Sequence, residues 1–209
     1  MMSETLAALE RTAEALRRRG FEASVFATAA QAGEFLLADM PAGQTVALGG
    51  CMTAKEMNLP QLLRAHGHEV LWHWEAAPAE RPALLHEAMN APLYICSANA
   101  ITTDGLMVNI DGNGNRVAAM CYGPNTVYVL IGRNKLVEGG YAQAVRRIKE
   151  VACPKNARRQ GLDTPCAAEG GSCRPLECAH SMCHVTASFE RAPGGKRTVV
   201  LLIDEDLGY

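Results

Sequence analysis

Four of the eight cysteines fall between residues 166 and 183, in the stretch CAAEGGSCRPLECAHSMC. Cys166, Cys173, Cys178 and Cys183 are separated by six, four and four residues, compact enough to wrap one metal ion or one iron-sulfur cluster in a loop. The paired CxxC of a zinc ribbon and the tight CxxCxxC of a bacterial ferredoxin are both absent. Spacing alone therefore leaves open a bound metal or cluster, a redox or disulfide pair, and unliganded thiols. His180 and His184 lie in or beside the segment and could replace a thiolate as ligand. Cys96 and Cys121 fall in expected strands and read as core thiols, while Cys51 is balanced between packing and function.

A second feature is GGCMTAKE (49–56), two glycines after a buried run, then a hydroxyl and the start of a helix. Gly49, Gly50 and Thr53 there could offer backbone N–H groups and a positive helix end to an anion, or form an ordinary strand-to-helix turn. The endings of a Walker loop and of GxGxxG are missing. A third is SANAITTDGLMVNIDGNGNRVAAM (97–120), in which Asn99, Asp104, Asn109 and Arg116 stand outside the tightest turn. Buried amides and charges need partners, so these residues point to a polar network or a substrate cradle. Asn99, Asn109 and Arg116 suit a carboxylate or phosphate, with Glu56 and Glu205 available for proton transfer.

These groups must be held by the surrounding elements. Residues 5–19 carry Leu6, Leu9, Ala13 and Leu16 at helical spacing and stop at Gly20. A strand at 21–27, a helix at 29–40 and a buried strand at 45–50 follow. Next come a helix at 55–65 broken at Pro60, a strand at 68–74, a helix at 82–89 and a strand at 92–98. Such alternation implies a mixed, partly parallel sheet flanked by helices on both faces. Residues 105–132 read as three β-type runs separated by DGNG and YGPN, a hairpin and a return strand. A helix at 138–152, an irregular Cys-rich insertion at 153–183 and strands at 184–190 and 197–204 complete one α/β domain over 1–209. A loop of about thirty residues without secondary structure needs another constraint, and a metal would supply it.

With 48% hydrophobic and 20% charged residues, the chain can bury a substantial core. Its net charge of -2 argues against nucleic-acid binding, and Arg17–Arg19 reads as a solvated helix end, where cations suit the macrodipole. No stretch reaches the roughly 18 apolar residues that span a bilayer, and no export signal is evident at the N-terminus. A cytoplasmic location is expected, where cysteines serve as core thiols, ligands or reactive groups more than as disulfides. The segment MNAPLYICSA and the exposed helices leave room for a homodimer.

LGGCMT after a strand, the block from Ser97 to Val137, CPKNARRQGLDTPC and the closing LIDEDLGY together resemble the LUD-domain proteins, the lactate-utilisation family. The match spans about 45–209, with the central block its most specific part. The resemblance implies the fold of the sugar-phosphate isomerase and CoA-transferase superfamily. It also implies a role in oxidation of L-lactate beside iron-sulfur partner subunits, and it tips the metal choice toward a 4Fe-4S cluster over zinc. Two function classes result. One is an oxidoreductase subunit that binds a small carboxylate or phosphate metabolite, with the cluster at Cys166, Cys173, Cys178 and Cys183 as the electron acceptor its side chains lack. The other is a non-catalytic assembly or binding protein with a structural zinc or an unliganded Cys loop.

Overall fold

The computed structural model describes residues 3–209. Six strands form one wholly parallel sheet: β1 (Glu22–Phe26), β2 (Thr45–Leu48), β3 (Glu69–Trp72), β4 (Leu93–Cys96), β7 (Thr126–Gly132) and β10 (Arg197–Ile203), in the spatial order β1-β10-β7-β4-β2-β3. Strands buried on both faces read as unbroken apolar runs, as TVYVLIG and RTVVLLI do. Alternate residues feed two cores. Ala47, Tyr94, Cys96, Val129 and Val200 face α1 (Glu4–Arg18) and α5 (Arg81–Ala88). Val46, Leu48, Ile95, Leu130 and Leu201 face α2 (Ala29–Asp39), α3 (Met52–Glu56) and α4 (Leu59–Ala65).

A smaller sheet, β8-β5-β6-β9, is built from β5 (Ala100–Thr102), β6 (Met107–Asp111), β8 (Leu136–Val137) and β9 (Val185–Phe189). Because β5 follows β4 after three residues and β8 follows β7 after a 3₁₀ turn, this sheet lies beyond the carboxyl ends of the parallel strands. Helix α7 (Tyr141–Arg147) runs through a π turn (Ile148–Ala152) into α8 (Cys153–Gln160), and together these cover Ala100, Val108 and Ile110 of the small sheet.

Several local expectations are corrected. The middle run of 105–132 is not a strand: NRVAAMC forms α6 (Asn115–Cys121), entered through Gly114 in the left-handed region. A short apolar run carries no decisive period, and here Arg116 and Val117 are pinned to Asp111, which holds the first turn helical. The helix break expected at Pro60 occurs at Asn58, which adopts φ 52° and leaves Pro60 in the first turn of α4, where its missing N–H costs nothing. The Cys-rich insertion does not begin at 153, since Cys153 opens α8, and the irregular part starts at Gly161. Cys96 is buried as expected, but Cys121, at the end of α6, is exposed. Segment 89–98 supplies β4, a central strand flanked by β2 and β7. The run Arg17–Arg19 is partly engaged: Arg17 donates to the Ala23 carbonyl and Arg19 to Asp104. Among the described residues, no helix is long and apolar enough to cross a membrane.

Candidate functional site

In the parallel sheet the chain runs outward from β2 to β3, returns to β4, and continues the other way to β7 and β10. The crevice beyond the carboxyl ends of β2 and β4 is thus a topological switch point, where open α/β sheets bind ligands. A cavity of about 350 Å³ opens there. Its wall draws on Gly50 and Cys51 after β2, His73 and Trp74 after β3, Ser97 and Asn99 after β4, and Lys135 after β7. The small sheet, α8 and the C-terminal Tyr209 close it.

Lys135 is 2% exposed. Its Nζ donates to Thr53 Oγ at 2.8 Å and Ser97 Oγ at 2.7 Å. Both hydroxyls direct their own protons to main-chain carbonyls, Thr53 to Leu207 and Ser97 to Leu130. They can therefore only accept from the amine, which leaves one N–H of the ammonium without a protein partner. No carboxylate pairs with Lys135 among the described residues. Burial lowers its pKa to about 8, opposed by Cys51 and helped by the Arg147 and Arg116 charges. The 3₁₀ turn that carries it is fixed by Arg147, which donates to the Asn134 carbonyl at 2.7 Å and to the Asn99 carbonyl at 2.6 Å. Gly208 (φ 61°) permits the close fit of the C-terminal segment, because a Cβ there would stand 2.7 Å from Thr53 Oγ and 3.1 Å from Lys135 Nζ.

Arg116 is buried as well. It donates to Asp111 at 2.5 Å, to the Ser97 carbonyl at 2.9 Å, to Asn99 Oδ1 at 2.8 Å and to the Ile110 carbonyl at 3.1 Å. Burial works against its charge, and Asp111 more than restores it. Its fork thus ties β4, β6 and α6 together and holds the wall in shape. Asn109, fully buried, accepts from the Asn99 N–H and lies behind the wall.

Of the residues expected to hold an anion, Gly50, Asn99 and Arg116 line the cavity, while Gly49, Thr53 and Asn109 do not. The Gly49 N–H is taken by the Ile95 carbonyl, and its own carbonyl accepts from Trp72 Nε1 at 3.1 Å. Gly50 matters for space, since a Cβ there would meet the Trp74 ring at 3.3 Å. Glu56 and Glu205, the expected proton carriers, are not among the lining residues: Glu56 accepts from the Gly208 N–H, and the Glu205 carbonyl accepts from Arg133. Sequence reasoning missed Lys135, Asp111, His73, Trp74, Asn156 and Tyr209. The one signal for Lys135 was its place between the apolar runs of LIGRNKLV, beside Arg133. Cys51 sits on the cavity floor with its sulfur accepting from the Ala54 N–H at 3.3 Å, and burial pushes its thiol up.

The Cys-rich loop borders the same cavity through Ser181, Met182, Cys183 and His184. Cys183 lies 3.4 Å, sulfur to sulfur, from Cys153. The hydrogen bond from Cys153 holds Cys183 down to about 6, with Lys149 adding to the effect. Burial raises the Cys173 thiol, and the Lys149 charge opposes this. None is in a disulfide. Among the described residues, no three His, Cys, Asp or Glu side chains converge closely enough to ligate one ion. His184 Nδ1 bonds the Gly112 carbonyl at 3.0 Å and so anchors the loop to the small sheet.

Comparison with known proteins follows from this architecture. The profile of the LUD domain matches residues 9–203. A DUF162 family protein from Deinococcus radiodurans has a similar solved structure, with a TM-score of 0.54 at 11% identity, covering 97% of this chain and 99% of that one. The eIF2B beta subunit from Chaetomium thermophilum aligns over 54% of this chain and 43% of its own, at 17% identity and a TM-score of 0.39. No curated protein matches. With the family profile covering nearly the whole length and the fold shared end to end with a solved relative, the chain belongs to the LUD-domain family and is a protein of the lactate-utilisation type.

Proposed function

We propose that the chain binds a small 2-hydroxy or 2-oxo carboxylate in the cavity at the switch point, as a component of an L-lactate oxidation system. The observation that carries this reading is Lys135: a buried ammonium with one free N–H and no carboxylate partner, bordering a polar cavity. A buried charge without a counter-ion is costly, and an anionic ligand is what removes the cost. Asn99, Asn115 and Asn156 line the same space and can hold the substrate's hydroxyl or carbonyl. Titration calorimetry with lactate and pyruvate tests this. Affinity should be flat below about pH 8 and fall about tenfold per unit above it, as Lys135 loses its proton. No binding at any pH would end the reading.

None of the cavity side chains can accept a pair of electrons from lactate, so oxidation requires a redox group. Cys166, Cys173, Cys178 and Cys183 would hold a 4Fe-4S cluster, which would supply one-electron transfer to partner iron-sulfur subunits. As folded here the four thiols are not gathered into one ligand set, so the loop would have to close around the cluster. A second reading, a structural zinc in a non-catalytic protein, is favoured by the Cys153–Cys183 approach of 3.4 Å. Two thiolates on one zinc stand about 3.8 Å apart, from Zn–S bonds of about 2.3 Å. Iron, sulfide and zinc content of protein prepared without oxygen decides between them. The cluster predicts roughly four iron and four sulfide, lost on Cys→Ala at any of the four positions, with the loop from 161 to 184 becoming protease-sensitive. One zinc lost with Cys153→Ala selects the second reading, and metal-free protein with a resistant loop rejects both.

A further inference from the structure

The cavity does not end at Trp74. Beyond it lies an outer groove of about 1060 Å³. His73, Trp74, Asn113, Asn115, Arg159 and Gln160 line both spaces, so the two adjoin at this group, the neck between them. A cleft of that extent suits a ligand well beyond three carbons in size.

The groove's chemistry differs from its surroundings. In a chain with net charge -2, its walls contribute Lys55, Arg81 and Arg159, together with His73 and His86, and no aspartate or glutamate. Arg159 is positioned by contacts from three sides. Its guanidinium lies 4.6 Å over the Trp74 ring, and it donates to Asn156 Oδ1 at 2.8 Å and to the Tyr209 hydroxyl at 2.8 Å. Arg81 is steadied by its Nε donating to the Ala76 carbonyl at 3.2 Å, which leaves its terminal nitrogens free of protein acceptors. At the neck, His73 keeps Nδ1 buried with no partner among the described residues. Its pKa is lowered by burial and by the Arg81 and Arg159 charges, against a hydrogen bond with the Leu48 backbone. Pro78, Pro82, Leu85 and Met89 give the groove an apolar side.

We infer that the outer groove is a phosphate subsite, and that the preferred ligand is a phosphorylated carboxylic acid whose carboxylate reaches Lys135 while its phosphate lies among Lys55, Arg81 and Arg159. Cations lining one groove without acids, two of them planar guanidinium forks, are what a phosphate group recruits. This inference rests on the reading of the inner cavity and adds a second end to the ligand.

The test is calorimetry with three probes: glycerate, glycerate phosphorylated at its terminal hydroxyl, and inorganic pyrophosphate. The parent protein is compared with the double variant Lys55→Gln, Arg81→Gln, both exposed positions where the fold should tolerate the change. The phosphorylated acid should bind the parent on the order of 10- to 100-fold tighter than glycerate, the range of one or two charge-assisted hydrogen bonds. That advantage should vanish in the double variant while glycerate binds as before. Equal affinities of the two acids for the parent, or an advantage that survives the double substitution, would overturn the inference. Pyrophosphate binding that depends on Lys55 and Arg81, with no glycerate binding at all, would support the outer phosphate subsite while rejecting the inner carboxylate site.

Discussion

Lys135→Met should abolish carboxylate binding while leaving the protein as stable as before or more so. Methionine matches the aliphatic stem in volume and brings no charge into the buried site. Loss of the one buried cation among the described residues that is free to meet a ligand should weaken lactate or pyruvate by on the order of 100-fold or more, the usual consequence of removing one partner from a desolvated charge pair. Stability should move the other way. Below about pH 8 Lys135 is protonated in both folded and unfolded chains, so the full penalty for burying its charge is present. Between about pH 8 and 10.5 the unfolded chain still holds the proton that the folded chain has released, and stability rises with pH by about 3 kcal/mol. In Lys135→Met that rise should disappear, because its source is gone. The measurement is urea unfolding from pH 7 to 10.5 beside calorimetry at pH 7. A variant that still binds carboxylate with parent affinity would remove Lys135 from the site, and one that unfolds at neutral pH would show that the amine's two hydrogen bonds outweigh its desolvation.

The Arg116–Asp111 pair should prove the largest single determinant of stability around the cavity. Both side chains are about nine-tenths buried, and Arg116 also satisfies the carbonyls of Ser97 and Ile110. Arg116→Met would leave Asp111 buried without a counter-charge and the two carbonyls without donors. The expected cost is about 3–5 kcal/mol, a fall in melting temperature on the order of 10 °C for a chain of this length. Arg116→Lys should recover only part of it, since an ammonium cannot reproduce the fork that spans β4, β6 and α6, and binding should not return to the parent value. Arg116→Met combined with Asp111→Leu should regain most of the loss, because no orphan charge remains. Thermal unfolding of the three variants reads this directly. A single Arg116→Met variant within 1 kcal/mol of the parent would show that the network adds little and that water replaces it.

The alternation of helices and strands from Glu4 to Cys96, the glycine turn after β2 and the dense polar stretch at 97–120 were all legible from residue order, because each depends on neighbours within a few positions. Leu6, Leu9, Ala13 and Leu16 repeat at the helical period whatever surrounds them, and TVAL and LYIC read as buried strands from their shortness, their β-branched residues and the turns that bound them. The family resemblance rested on contiguous motifs of the same kind. What depended on distant residues was not legible. NRVAAMC became a helix because Asp111 holds Arg116 and the Val117 N–H, a contact that no local period announces. Lys135 became a buried cation because three parallel strands end together and the C-terminal segment folds over it, bringing Thr53, Ser97 and Gly208 from 82, 38 and 73 residues away. Glu56 and Glu205 had suitable chemistry for proton transfer, but the chain directs one to the Gly208 N–H and leaves the other off the cavity wall. Cys153 and Cys183 meet across 30 residues by the same logic. Local periodicity is a property of the sequence, whereas burial and charge compensation are sums over groups that only the packed chain brings within reach.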